Sequence, residues 1–162
     1  MKTDFQVSIK ERSAHTLYGA SVRTNMAKAS TDCPHIWESV FVPRMPEISQ
    51  KPLKEFQGES YGISIVVDMQ SGIFDYWAAM EPAPGTPLPQ GLSEIEIPAG
   101  LYASCRVDSL EQLGDAYNYL YTEWVPKQPN LLLNMQAPCF ELYGQEYMQN
   151  GALEVYVPVL KK

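Results

Sequence analysis

Histidine, cysteine and positive charge are all scarce in this sequence, and each scarcity removes a class of chemistry. The two histidines, His15 and His35, lie too far apart in the chain to suggest a metal or a general base. Cys33, Cys105 and Cys139 form an odd set without CxxC spacing, which fits neither a disulfide framework nor a zinc site and leaves reduced, buried thiols as the expectation. No Walker loop, dinucleotide fingerprint, Ser-His-Asp set or Cys-His set is present, so no metal and no cofactor are expected. No apolar run approaches the roughly 20 residues that cross a bilayer, and the opening MKTDFQVSIKERSAH lacks a continuous apolar signal segment. A cytoplasmic protein with no membrane partner is the expectation.

Twelve Lys and Arg stand against nineteen Asp and Glu, giving a net charge of −7, and the basic residues are scattered rather than grouped. The mean field repels phosphate backbones and attracts cations, so direct DNA binding is not expected. What the chain does have is apolar substance: 45% of its 162 residues are hydrophobic and 19% charged. That composition suits one globular domain, 1–162, that removes roughly two-thirds of the unfolded surface from water.

Alternating or continuous apolar runs predict strands near 3–9, 16–26, 61–69, 73–81, 93–107, 138–144 and 152–160. Between them, Ser30, Thr31 or Asp32 can cap a helix carrying Ile36, Trp37, Val40 and Phe41 on one face and ended by Pro43. Ser109 can cap a second, in which Leu113, Tyr117, Leu120, Tyr121 and Trp124 keep helical spacing until Pro126. The proline-rich stretch 83–90 reads as a stiff linker between pseudo-repeats 1–82 and 91–160. SAHTLYGASVRT parallels IPAGLYASCRVD, each is followed by a helix, and YGISIVVD with FDYWAAME parallels CFELYGQ with LEVYVPV. The expected fold is therefore α+β. A tandem β-α-β-β repeat would form a curved antiparallel sheet with two helices on one face, leaving a ligand groove at the pseudo-twofold axis.

Strand alternation separates Cys139, Glu141 and Tyr143 from Phe140 and Leu142, and separates Tyr156 from Val155 and Val157. Aligning the repeats sets Trp77 where Tyr156 stands, which makes Glu141, Trp77 and Tyr156 the groove candidates. Tyr18 and Tyr102 occupy matching places from which they could flank the groove, but alternation does not decide which face either takes.

The ordered elements IWESVF, YGISIVV, FDYWAAME, EIPAGLYASC, DAYNYLYTEWVP, APCFELYG and LEVYVPV resemble the effector-binding domain of gyrase-inhibitor-like proteins and AraC-type, multidrug-sensing transcription regulators. That resemblance implies a pocket for bulky lipophilic cations, with a buried glutamate at Glu141 and an aromatic at Tyr156. It matches Trp77 to a further aromatic position and Trp37 and Trp124 to helix positions, while Tyr143 lies beside the glutamate. The regulators also carry a helix-turn-helix, and none is expected here. Two readings follow: a stand-alone module that captures amphipathic cations, acting through a protein partner in one version, or a small-molecule hydrolase in which Glu141 activates water.

Overall fold

The computed structural model describes residues 5–56 and 58–162, so residues 3 and 4 of the first expected strand lie outside the described residues. The strands are β1 (Val7–Arg12), β2 (His15–Thr24), β3 (Ser60–Asp68), β4 (Ile73–Met80), β5 (Ser93–Ile97), β6 (Gly100–Val107), β7 (Leu131–Leu133), β8 (Cys139–Tyr143) and β9 (Leu153–Lys161). The α-helices are α1 (Ala29–His35), α2 (Met45–Ser49), α3 (Leu113–Asn118) and α4 (Gln145–Asn150). The expected α+β class and the doubled β-α-β-β order are both present, as β2-α1-β3-β4 and β6-α3-β8-β9.

The chain forms two compact units, one spanning His15–Ile97 and one joining the segment up to Ala14 with Pro98–Lys162. In the first unit β3, β4, β2 and β5 pair antiparallel in that order, and in the second β1, β6, β9 and β8 do so with β7 added to β9. These units do not coincide with the sequence halves 1–82 and 91–160. The strand preceding each repeat is exchanged: β1 pairs with β6, and β5 pairs with β2. The proline-rich stretch belongs to the His15–Ile97 unit, where Ala83 N–H donates to Ile48 O, Tyr18 Oη to Thr86 O and Arg44 to Gln90 O.

The expected strand 93–107 is broken at Pro98, which has no N–H for a ladder, and the break lets β5 and β6 enter different units. The first helix is not capped as expected: the α1 N-cap is Lys28, whose N–H donates to Asn25 Oδ1, while Asp32 instead accepts from the Thr24 hydroxyl at 2.7 Å. Ser109 does stand at the N-cap of the second helical segment, where its carbonyl accepts the Gln112 N–H at 3.2 Å but its side chain makes no capping bond, and Gln112 Oε1 accepts the Asp108 N–H. Pro43 does not end the first helix, because it falls in the opening turn of Val42–Arg44, where no N–H is needed, and helix continues as α2 to a left-handed stop at Gln50. Both main helices widen into a π-helical turn at matching places, Ile36–Phe41 and Tyr119–Trp124.

Each unit packs its helices on one face of its own sheet. Ile36, Phe41, Met45 and Ile48 meet Ala20, Tyr76, Ala78 and Met80 in one core. Ala116, Leu120 and Val125 meet Ala103, Cys105, Val107, Val155 and Val157 in the other.

Candidate functional site

Cross-strand partners in an antiparallel pair share a face, so register decides which side chains can meet. Ser21 stands opposite Trp77, and Ser104 stands opposite Tyr156, which makes Ala20–Thr24 the counterpart of Ala103–Val107. Tyr18 and Tyr102 are therefore one residue out of step, and a one-residue slip reverses the face. Tyr18 packs on the helix-side core with its hydroxyl on Thr86 O at 2.9 Å, whereas Tyr102 lies on the opposite face of its own sheet.

The same rule corrects the expected groove. Glu141 pairs with Val155 and Phe140 with Tyr156, so Glu141 faces the helices while Tyr156 faces away from them. Alternation along β8 groups Cys139, Glu141 and Tyr143 but does not say on which side of the sheet the group lies.

Glu141 is 2% exposed. The half-buried Tyr117 of α3 donates its hydroxyl to Glu141 Oε2 at 2.6 Å, and Tyr143 donates to Oε1 at 3.3 Å. Tyr143 also meets the Tyr147 ring edge-on at 4.9 Å. Tyr121 hydrogen-bonds the Cys139 thiol, two residues before the carboxylate. Trp124 is packed against the same core. Burial, and then the Glu141 charge, raise the Tyr117 phenol well above its ordinary pKa, so it stays protonated as a donor. Burial likewise raises Tyr121 and pushes the Cys139 thiol up to about 11. The result is an enclosed carboxylate among phenols and a thiol that all remain neutral near pH 7.

On the reverse face Tyr156 stacks on Phe140, with Tyr102 edge-on to both. Strand β1 brings Lys10 and Arg12 to these rings, two basic residues that β8 and β9 themselves give no reason to expect. The remaining candidates, Trp37, Trp77 and Tyr18, belong to the His15–Ile97 unit. Trp37 donates its Nε1–H to Tyr76 Oη at 2.9 Å and meets Phe41 edge-on, and half-buried Trp77 lies on the sheet face away from α1. That unit also has an open cleft of about 290 Å³ with Phe56, Glu59, Tyr61, Met80 and Glu81 among its lining residues.

A family model of the GyrI-like small molecule binding domain matches residues 5–160. The chain belongs to that family. This GyrI-like domain is 28% identical over 129 residues to the transcriptional regulator BrlR of Pseudomonas aeruginosa, covering 76% of its own length and 45% of BrlR, so it spans about half of that relative. Its fold is similar to an integron cassette protein from the mobile metagenome of Vibrio cholerae (TM-score 0.69, 18% identity, 96% of this chain and 97% of that one). It is also similar to SAV2435 bound to tetraphenylphosphonium (TM-score 0.70, 16% identity, 96% and 94%). Among the described residues of the GyrI-like domain, no helix is long and apolar enough to cross a membrane.

Tyr117 and Tyr121 were legible only as members of an apolar helix stripe. Their four-residue spacing, which puts both hydroxyls on one side of α3 and its π turn, is the signal that could have marked them as partners for Glu141 and Cys139.

Proposed function

We propose that this GyrI-like small-molecule-binding domain captures bulky organic cations, with Glu141 as the counter-charge and Tyr117, Tyr143, Tyr121 and Trp124 as the surrounding wall. The observation that carries this reading is the carboxylate that is 2% exposed and held by two phenol donors. An ionised carboxylate is costly to bury, and a cation beside it offsets that cost while the phenols fix its orientation. The tetraphenylphosphonium bound to SAV2435 supports the ligand class. A cation about 4 Å from Glu141 gains on the order of 4 kcal/mol at an effective dielectric near 20. A desolvated aromatic face adds about 2 kcal/mol, which after association costs suits micromolar affinity.

Titration with tetraphenylphosphonium, with tetraphenylborate as an anion of the same shape, tests the charge. The parent is expected to bind the phosphonium and not the borate, and Glu141→Gln to lose tenfold or more in affinity. Equal binding of both ions, or an unchanged Glu141→Gln, overturns the reading. Hydrolysis of a neutral epoxide by the parent but not by Glu141→Gln would instead assign the carboxylate to water activation.

A further inference from the structure

The face of the β6–β9–β8 sheet turned away from α3 carries a second acidic and aromatic arrangement, and the chain fills it with its own cations. Phe140 and Tyr156 stack with centroids 4.7 Å apart at 11°, and they and Tyr102 are at most 3% exposed. The Arg12 guanidinium carbon lies 4.8 Å from the Tyr156 centroid and 5.3 Å from that of Phe140, and its Nε is buried. Lys10 Nζ stands 5.4 Å from the Tyr156 centroid and 2.6 Å from Glu154 Oε2. The same oxygen accepts from the Ser104 and Tyr156 hydroxyls at 3.4 and 3.2 Å. Counter-charge, stacked rings and a seated guanidinium are the parts of a cation site.

The seat also has an approach. An open cleft of about 300 Å³ is lined by Glu11, Arg12, Ala99, Gly100 and Leu101. Gly100 is the register partner of Arg12, and nothing lies within 4 Å of where a Cβ on Gly100 would stand, so space adjoins the plug residue on the cleft side.

We infer that Arg12 is a resident cation in this second seat, and that a planar amidinium or guanidinium monocation entering through the cleft exchanges with it. The inference rests on the cation-binding reading of this domain and adds a residue that sets its specificity. An occupied seat lowers apparent affinity by the fraction of time it is filled. A desolvated cation–π contact makes that penalty roughly tenfold to thirtyfold. A planar cation can take the place of the Arg12 guanidinium against the Phe140 and Tyr156 rings, whereas a bulky tetrahedral one cannot.

The test follows the Arg12 Nε–H resonance of the parent by NMR during titration with benzamidinium, with neutral benzamide as control. Benzamidinium is expected to move that resonance saturably out of its ring-current-shifted position and benzamide to leave it in place. Arg12→Met, which keeps the apolar stem, should bind benzamidinium roughly tenfold tighter than the parent. An Arg12 resonance that is not ring-shifted, or that stays put at saturating benzamidinium, overturns the inference, as does unchanged or weaker binding by a folded Arg12→Met. If that variant does not fold, the parent resonance decides alone. Failure of tetraphenylphosphonium to bind would remove the Glu141 reading while leaving a displaced Arg12 resonance to support this one, so the two failures are separable.

Discussion

The Tyr117 hydroxyl donates to Glu141 Oε2 across 2.6 Å, joining α3 to the strand beneath it through two groups that are both enclosed. Neither group reaches water easily if the other is removed. Tyr117→Phe is expected to cost about 1–3 kcal/mol, the range for leaving a buried polar group short of a partner. Urea denaturation of Tyr117→Phe, Glu141→Gln and the double variant measures the coupling, expected at about 0.5–3 kcal/mol. Simple additivity of the two single costs would mean that the bond contributes nothing to stability.

Alkali should loosen the same unit. An acid whose folded pKa is raised keeps its proton longer in the folded state, so its stabilising contribution is whole below the unfolded pKa and is withdrawn as pH climbs toward the folded one. For Cys139 that window runs from 9.0 to about 11, and Tyr117 and Tyr121, raised from 10.0, extend it upward. Thermal unfolding should fall steadily above pH 9. Cys139→Ala should flatten the first part of that fall by on the order of 2 kcal/mol at pH 11. A variant with the same pH profile as the parent would show that Cys139 is not the group responsible.

Gly19 in β2 is fixed by close approach rather than by backbone angle. A Cβ there would lie 2.2 Å from Ala78 O and 2.7 Å from Ala79 Cβ on the neighbouring strand. Because β4 would have to shift as backbone, Gly19→Ala is expected to destabilise by about 3 kcal/mol or more. Circular dichroism melts check it, with Gly100→Ala as the control, since nothing stands within 4 Å of that Cβ position. Equal melting of the two variants would contradict the close approach.

Much of this fold could be read from the sequence because its signals are local. The alternating runs, the two aromatic helix stripes and the doubled order of elements survive in the structure nearly as spaced. The pieces that escaped are those without a local signature. Leu131–Leu133 is too short to show alternation, and Leu113 to Trp124 carries helical spacing whether the turns are α or π. The site divides in the same way. Glu141 could be named, but its side of the sheet depends on pairing with Val155, and the approach of Lys10 and Arg12 to Tyr156 depends on β1 choosing β6. Both are contacts between distant segments, which no window of ten residues contains.

The exchange of β1 has a consequence for how the molecule is made. The pairing of Arg12 with Gly100 closes a loop of nearly 90 residues, so β1, once made, has no β6 to pair with until the rest of that loop has followed it. During that interval Val7 and Ile9 belong to an unpaired edge, and the charges of Lys10, Glu11 and Arg12 beside them discourage that edge from joining another chain. A strand made well before its partner is thus seated late, and the basic side chains that end it settle onto the aromatic rings of a sheet that does not yet exist when they leave the ribosome.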